Sequence, residues 1–389
     1  MSGKPVMVFI NHWARDLGGA EHSLLDILQF ARHDAAVHLV TSEGGKLVER
    51  AQALGIQCTI IPCNAALQGI RRDHLLQSLL TKWKIILSFL LYTVRVSRRI
   101  REISPSLIHA NVPKSHMTLF ILRLLGYKGH CCFHIREIFD SKSLPSLLYT
   151  VLFPGSNSSV ISISRAARES LPPSIRQAST VIYNGIEIPP VCKAHTGNGV
   201  KFLYLGRIVP WKGCEQLIEA FSLLVKDSSV PVECNLVGGT IYWDTSYREQ
   251  LAGMIRERGI ADRCRILDHT NDPVSVMMDH DVFCNCSDRE PFGRSIAEAQ
   301  ACGLPVVAFS TGGIPEILEH EHTGLLTEYG DVKQFARMMK RFIDEPDLAG
   351  RMGKAGRERM KEFFERDKQM QNIVKMLVSR ALPEEVPGN

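Results

Sequence analysis

Short apolar segments alternate with stretches of helical period through almost the whole chain. The strand candidates are residues 6–11, 36–42, 57–62, 106–111, 130–135, 159–164 and 180–184, followed by 201–206, 232–238, 264–269, 281–287 and 305–310. Most are apolar without alternation, which is typical of strands that helices cover on both faces. The pattern therefore predicts an α/β protein with doubly wound parallel sheets.

The chain has enough residues for two domains, since a domain takes about 150 residues as a rough guide. A segment rich in Pro, Gly and polar residues, 188–199, separates the two strand series and is typical of an interdomain linker. We expect a first domain over 1–190, a second over 191–365, and a helical tail over 366–389 that is able to pack back across the junction. In such sheets, ligands bind at the carboxyl ends of the strands, so we expect a shared cleft there.

The charge distribution and the cysteine content indicate what kind of partner and which cellular compartment to expect. The chain up to Pro190 has 21 Lys and Arg against 12 Asp and Glu, whereas the remainder has 25 against 29. The basic first half therefore suits an anionic surface or substrate. The eleven cysteines form no C-x-x-C pair and no zinc spacing, and no export signal is visible, so we expect reduced cysteines in a cytoplasmic protein.

Two cations follow the first strand of the second half. The segment 206–213 leaves that strand with Arg207 and Lys212 and enters a helical pattern at Cys214. Arginine grips phosphate oxygens in pairs, lysine adds a point charge, and the free amides at a helix start favour an anion. This turn is a candidate diphosphate site, and a surface turn with two solvated bases is the alternative.

Two glutamates mark the next candidate, the segment 290–298. Glu290 lies in the loop after the strand 281–287, and Glu298 lies in the second turn of the following helix. Carboxylates accept hydrogen bonds from sugar or ribose hydroxyls, and Gly293 lets a ligand approach the backbone closely. Glutamates early in a helix also stabilise its dipole without any functional role, so this alternative stays open.

Two more candidates lie in the first half. Gly18 and Gly19 precede a helix, but no G-x-G-x-x-G is present, which leaves a phosphate, a sugar or a plain tight turn. His134 ends the strand 130–135, where its imidazole could hydrogen-bond a sugar or assist a proton transfer. A structural histidine is the alternative reading.

The order of the motifs GGAE, HIRE, SRAARESL, IYNGIE, GRIVPWKG and EPFGRSIAEAQACGLPVVAFSTGGIPEIL resembles that of the retaining glycosyltransferases of family 4. The likeness runs from Val6 to about Tyr329 and is strongest in the second half. It implies the GT-B fold, in which two Rossmann-like domains face each other across a cleft, with the acceptor in the first and the nucleotide sugar in the second. It also implies a hexosyltransferase of bacterial cell-surface polysaccharide or lipopolysaccharide synthesis.

The resemblance also implies roles for individual residues. In similar enzymes, the residues matching Arg207 and Lys212 hold the donor diphosphate, and the one matching Glu298 binds ribose. Those matching Glu290 and His134 lie by the donor sugar. The other implied donor contacts are Gly18, Gly19, Gly206, Phe292, Gly293, Arg294 and Ser295. Arg294 is a departure, because many relatives carry an apolar residue there.

The resemblance further implies a metal-independent reaction. Because the family usually works without a divalent ion, we expect no cofactor and no metal, only a UDP- or GDP-linked sugar as donor substrate. Retention of configuration is expected to follow front-face attack, in which the leaving phosphate oxygen takes the acceptor proton. A nucleotide-sugar epimerase and a non-catalytic glycan-binding protein on the same fold are the alternatives.

The segment 71–101 has eight Lys and Arg against one Asp, interleaved with apolar residues. It is either an internal helix with solvated basic ends or a helix on an anionic membrane surface, with Trp83, Phe89 and leucines entering the lipid. We favour the membrane and a lipid-linked saccharide acceptor, with a second apolar stretch at 144–153 adding to the patch. The protein is then peripheral on the inner face of the cell membrane. A nucleic-acid partner is not expected, because the interleaving residues are aliphatic and give bases nothing to stack on.

Overall fold

The computed structural model describes residues 4–63, 79–140, 149–150, 153, 155, 157–190, 199–240 and 245–382. The expectations for residues 71–78, for most of 144–153 and for the linker core at 191–198 lie outside the described residues, as does the side chain of Trp83.

The chain forms two units. The first comprises Met1–Ile163, Ala167–Ile182 and Gln369–Asn389, and the second comprises Ser164–Ala166 and Tyr183–Lys368. The division therefore falls about eight residues earlier than the expected boundary at 190. Residues 183–190 belong to the second unit because the Ile186 N–H donates to the Phe364 carbonyl and the Arg366 N–H donates to the Ile186 carbonyl, at 2.8 and 2.9 Å.

The first unit is built on a parallel sheet with the order β3-β2-β1-β4-β5-β6-β7. Its strands are β1 (Val6–Asn11), β2 (Ala36–Thr41), β3 (Gln57–Ile60), β4 (Leu107–Ala110), β5 (His130–Ile135), β6 (Ser158–Ser162) and β7 (Ser179–Val181). The helices described in it are α1 (Gly19–Ala31), α2 (Lys46–Ala53), α3 (Leu79–Ile103), α4 (Pro113–Leu124), α5 (Arg165–Glu169) and α6 (Pro173–Gln177). The central strands β4 and β5 are buried at every residue, as expected for strands covered on both faces.

The second unit is built on a parallel sheet with the order β10-β9-β8-β11-β12-β13. Its strands are β8 (Val200–Leu205), β9 (Val232–Val237), β10 (Cys264–Leu267), β11 (Val282–Asn285), β12 (Val306–Phe309) and β13 (Gly324–Thr327). The helices described in it are α7 (Cys214–Asp227), α8 (Ser246–Glu257), α9 (Pro273–Met278), α10 (Arg294–Ala301), α11 (Ile314–Ile317), α12 (Val332–Asp344) and α13 (Pro346–Arg359), followed by a π-helical turn at Met360–Phe364.

The last helix, α14 (Arg366–Ala381), packs into the core of the first unit. Its residues Met370, Ile373 and Leu377 are at most 1% exposed and lie in the same apolar cluster as Phe9 and Leu24. Burying side chains of this size contributes about 1.5–3 kcal/mol each. The tail is therefore part of the first unit's core. The helix expected from 351 to 382 is interrupted by the π-helical turn and by the extended Glu365.

The ten cysteines among the described residues are all free thiols, and all except Cys58 and Cys63 are buried. Within the same ranges, none of the helices combines the length and apolar character that crossing a bilayer requires.

Candidate functional site

The candidate residues of the second unit lie where its strand order reverses. β8 pairs with β9 on one side and with β11 on the other, and this is the position at which doubly wound sheets bind ligands, in a crevice at the carboxyl ends of the strands. The turn 206–213 follows β8, and the loop 286–293 follows β11. The Asp288 N–H donates to the Trp211 carbonyl at 3.0 Å, which ties the two connections together.

Gly213 allows these two connections to approach each other. It has φ of 70°, and a Cβ placed there would lie 2.0 Å from the Cys286 carbonyl oxygen. Any side chain would therefore push the β8 turn away from the β11 loop. Gly206, at the end of β8, is similarly close to its neighbours, because a Cβ on Gly238 would meet the Gly206 oxygen at 1.7 Å.

The structure brings Lys212 and Glu290 together. The ammonium of Lys212 forms an ion pair with the Glu290 Oε2, and the two side chains are only 20% and 12% exposed. Arg207 lies on the same turn but is exposed, and no described carboxylate pairs with it. The turn after β8 thus carries one paired cation, Lys212, and one cation, Arg207, that is available for an anion.

The helix α10 presents its N-terminus after the same loop. Its N-cap is Gly293, with φ of 98°, followed by Arg294 and Ser295, whose side chains are half-buried. A helix N-terminus offers free amides and a positive dipole to an anion. Phe292 is 2% exposed and packs among Tyr183 and Phe364, so its side chain is part of the packing and does not face a ligand.

Arg294 has a partner in the structure that the sequence did not reveal. Its Nε donates to Glu298 Oε1 at 2.7 Å, one helical turn later. Its Nη1 is buried and has no hydrogen-bond partner among the described residues. The carboxylate expected to meet ribose is therefore held by a neighbouring guanidinium, and one buried N–H group remains to be satisfied.

In the first unit, the strand order reverses between β1 and β4. Asn11 ends β1, Asn111 follows β4, both are fully buried, and the Asn111 amide donates to Asn11 Oδ1 at 3.0 Å. Neither asparagine was predicted from the sequence to be a site residue. The available signal was their position, since each is the polar residue at the carboxyl end of an apolar strand.

Gly18 and Gly19 are exposed at the start of α1, of which Gly19 is the first residue. Gly18 is its N-cap, and its N–H donates to Glu21 Oε2 at 3.1 Å, while Glu21 is itself 6% exposed. Glu21 is also contacted by the Asn11 amide at 3.4 Å. Glu21 thus links the glycine pair to the carboxyl end of β1, and both glycines remain exposed.

His134 is 1% exposed at the end of β5. Burial, together with the charge of Arg136, holds the pKa of His134 well below its usual range, so the ring is neutral. His134 Nδ1 lies 3.1 Å from His109 Nε2 and 3.4 Å from Arg136 Nη2. A buried neutral imidazole is poorly suited to take a proton, which favours the hydrogen-bonding alternative over proton transfer.

Residues 193–359 match the sequence profile of the family described as glycosyl transferases group 1. The match covers almost the whole second unit and all its candidate residues. The expected resemblance to glycosyltransferases is therefore confirmed, in this half of the chain.

Two curated relatives match over similar stretches. The capsular polysaccharide biosynthesis glycosyltransferase CapM of Staphylococcus aureus is 30% identical over 162 residues, which is 41% of this chain and 41% of that protein. The N-acetyl-alpha-D-glucosaminyl L-malate synthase of Bacillus anthracis is 29% identical over 157 residues, which is 40% of this chain and 39% of that protein. The aligned regions thus span about two fifths of these relatives.

A solved structure, that of Anabaena HepE in complex with UDP and glucose, matches nearly the whole chain. The TM-score is 0.79 at 22% identity, covering 96% of this chain and 99% of that one. The expected GT-B fold is confirmed, since both parallel sheets have their counterparts in that structure.

Proposed function

We propose that the chain is a glycosyltransferase that moves a hexose from a nucleoside diphosphate sugar to a saccharide acceptor in the synthesis of a cell-surface polysaccharide or lipopolysaccharide. The observation that carries the proposal is the position of Arg207, Lys212 and the N-terminus of α10, which all follow the carboxyl ends of β8 and β11 at the strand-order reversal of the second unit. These groups are the ones that a diphosphate requires. Two of the similar proteins support the proposal. CapM is named as a glycosyltransferase of capsular polysaccharide biosynthesis, and HepE was solved in complex with UDP and glucose.

The chemistry follows from where charge develops. As the bond between the anomeric carbon and the phosphate oxygen breaks, its electron pair passes to the departing diphosphate, and the sugar gains positive character. Fixed cations and amides aimed at the diphosphate lower this barrier, because they are already oriented when the charge appears. Arg207, Lys212 and the amides of Gly293 to Ser295 are assigned this role, and Glu298 is assigned the ribose hydroxyls.

The donor is expected to stabilise the protein against heat. UDP, GDP, UDP-glucose and GDP-mannose are each to be added at saturating concentration, with UMP as the control that has a single phosphate. A ligand at 100 times its Kd stabilises by about 2.7 kcal/mol, which is about 5–11 °C in Tm for a chain with units of this size. The nucleotide that gives the largest shift identifies the donor base. If no diphosphate shifts Tm more than UMP does, the proposed function is wrong.

No metal is required in this proposal, because the two basic side chains and the α10 N-terminus supply the positive charge that the diphosphate needs. The same nucleotide shift is therefore expected to persist in EDTA. A shift that disappears with EDTA and returns with Mg²⁺ would contradict metal independence while leaving donor binding intact.

The transfer is proposed to retain the anomeric configuration by front-face attack. Retaining glycosidases use a carboxylate nucleophile, but here each crevice carboxylate is already engaged, Glu290 with Lys212 and Glu298 with Arg294. The acceptor oxygen then bonds to the face that the diphosphate leaves, and its proton passes to the departing phosphate oxygen. Incubation with donor alone is expected to leave no sugar covalently attached to Glu290 by mass spectrometry, and such an adduct would overturn this mechanism.

A lipid-linked acceptor is proposed from the exposed face of α3. Five large apolar side chains, between 38% and 60% exposed, lie three or four residues apart on this face: Ile86, Leu87, Leu90, Leu91 and Val94. The exposed Arg95, Arg98 and Arg101 continue the face toward the helix end. We call these eight residues the α3 face. An apolar patch beside arginines suits an anionic bilayer, where the apolar groups enter the lipid and the cations meet headgroups. Phe89, in contrast, packs against His12 and Tyr92 and is not on this face.

The intact protein is expected to float with vesicles that contain phosphatidylglycerol and to stay in solution with phosphatidylcholine alone. Changing Leu87 and Leu91 to serine, or Arg98 and Arg101 to glutamate, removes apolar burial or charge attraction, respectively, and each pair should reduce flotation at least tenfold. The matched control is Leu124→Ser, because Leu124 is 77% exposed but lies on α4. Absence of flotation at physiological salt, or equal loss in the Leu124 variant, would remove the membrane from the proposal.

A further inference from the structure

A chain of side-chain hydrogen bonds in the first unit joins the glycine pair to His134. Glu21 accepts from the Gly18 N–H at 3.1 Å and from the Asn11 amide at 3.4 Å. The Asn111 amide donates to Asn11 at 3.0 Å, and Arg136 Nε donates to Asn111 Oδ1 at 2.9 Å. Hydrogen bonds therefore link the candidate residues of this unit to one another.

Arg136 holds a fixed orientation at the end of this chain. Besides Asn111, its guanidinium donates from Nη2 to Ser23 Oγ at 3.2 Å and to His134 Nδ1 at 3.4 Å. A guanidinium can only donate hydrogen bonds, so the nitrogen that it contacts has to be an acceptor. His134 Nδ1 therefore carries a lone pair, and the single proton of the neutral ring lies on Nε2.

His109 is compatible with the same assignment. Its Nε2 lies 3.1 Å from the same His134 Nδ1, and because Arg136 requires that nitrogen to be an acceptor, His109 donates through Nε2. His134 Nε2 is buried and has no hydrogen-bond partner among the described residues. A buried N–H group without an acceptor is unusual in folded proteins, and a substrate oxygen is the kind of group that would complete it.

We propose that Arg136 is a positioning residue that fixes His134 in the Nε2–H tautomer, so that His134 donates a hydrogen bond to the donor sugar and takes no part in proton transfer. The activity side of this inference rests on the proposed function. The tautomer itself does not, because it follows from contacts within the first unit alone. Neither Arg136 nor its link to the asparagines was selected from the sequence.

The tautomer is measured by long-range ¹H–¹⁵N NMR of the full chain labelled on histidine, with the His134 signals assigned from their loss in His134→Gln. The wild-type protein is expected to show protonated Nε2 and unprotonated Nδ1. Arg136→Met removes the donor at Nδ1, so the Nδ1–H form is expected to appear, and Arg136→Lys is expected to restore the wild-type pattern in part. A wild-type His134 that is protonated on Nδ1, or on both nitrogens, would overturn the proposal even if Arg136→Met fails to fold.

Activity is measured as release of nucleoside diphosphate from whichever nucleotide sugar gives the largest Tm shift. Arg136→Met is expected to lower kcat between about 10-fold and 10²-fold, as misplacement of a contacting group does, with little change in KM. In the His134→Gln variant, adding Arg136→Met should lower kcat little further, because Arg136 acts through His134. Losses that simply multiply would show that Arg136 acts independently, and the proposal would then be wrong.

Arg123→Met is the matched control. Arg123 donates to the Tyr127 and Gly129 carbonyls beside the amino end of β5, so its loss disturbs the same strand far along from His134. It is expected to leave the His134 tautomer and kcat unchanged. If the wild-type chain binds no nucleotide diphosphate, the proposed function fails, whereas the NMR result still decides the tautomer.

Discussion

Lys212→Ala is expected to lower kcat by about 10²-fold to 10³-fold, which is the usual effect of removing one oriented group that stabilises developing negative charge. Two losses combine in this variant. The diphosphate loses a cation, and Glu290 loses the partner of its carboxylate, which is only 12% exposed. A buried carboxylate without a partner then repels the incoming phosphates.

The double variant Lys212→Ala, Glu290→Gln separates these two losses. It removes the repulsion and leaves the missing cation, so we expect it to recover part of the donor KM while kcat stays low. Measurements of diphosphate release at saturating and limiting donor give the two constants. Full recovery of kcat in the double variant would show that Lys212 serves only to neutralise Glu290.

Lys201→Ala is the matched control for this experiment. Lys201 lies at the start of β8, the strand whose other end leads to Lys212, and forms an ion pair with Asp279 at 3.3 Å on the exposed surface. Exposed pairs of this kind contribute about 0–1 kcal/mol, so kcat should be unchanged. A Lys212→Ala enzyme within twofold of wild type, or a Lys201→Ala enzyme with an equal loss, would refute the assigned role.

The fold was accessible from the sequence because apolar strands covered on both faces leave a strong local signal. All twelve predicted strands are present, most with ends that differ by one to three residues. The strand β13, Gly324–Thr327, was not predicted, because four residues beginning with glycine carry little strand preference. It forms because it pairs with β12, from Val306↔Gly324 to Phe309↔Thr327. Such long-range pairing cannot be predicted from the four residues of β13 alone.

The candidate site was predictable in its residues but not in its pairings. Arg207, Lys212, Glu290 and Glu298 were selected because each lies where a strand passes into a helix. The contact between Lys212 and Glu290 depends on β8 and β11 being neighbours, although 78 residues separate the two side chains. Sequence analysis likewise left Arg294 without a target, and could not show that Asn11 and Asn111 meet across 100 residues.

The first unit is expected to unfold in mild acid because it buries neutral histidines. His12 and His116 are 6% and 1% exposed, and burial lowers the pKa of each to about 3. His116 donates from Nε2 to the Ala110 carbonyl at 3.0 Å and contacts the Tyr149 hydroxyl through Nδ1, while His12 lies 2.9 Å from the Thr118 hydroxyl. Both rings are therefore held in the uncharged form by burial among polar partners.

The direction in which stability changes with pH follows from proton binding in the folded and unfolded states. In the unfolded chain both rings take up protons below pH about 6.5, whereas in the folded chain they do so only near pH 3. The unfolded state therefore binds more protons in this interval, and the stability present above pH 6.5 is lost as the pH falls. For each pH unit of acidification, each histidine lowers the free energy of unfolding by about 1.4 kcal/mol, so the pair lowers it by about 3 kcal/mol. Because domains are stable by only about 5–15 kcal/mol, unfolding of the first unit is expected near pH 4–5.

Hydrogen exchange measured by mass spectrometry from pH 7 to pH 4 resolves the two units, since peptides from β1, β4 and α4 report the first one. His12→Gln and His116→Gln keep a hydrogen-bonding side chain that does not titrate, so the double variant should lose the part of the slope between pH 6 and pH 4.5 that these two rings contribute. The remaining slope is expected from His109 and His134, because burial in the same unit also lowers the pKa of each. His33→Gln is the control, because His33 belongs to the same unit and is exposed. A double variant with the wild-type slope would show that acid acts on other groups, and that these two imidazoles are protonated without loss of the fold.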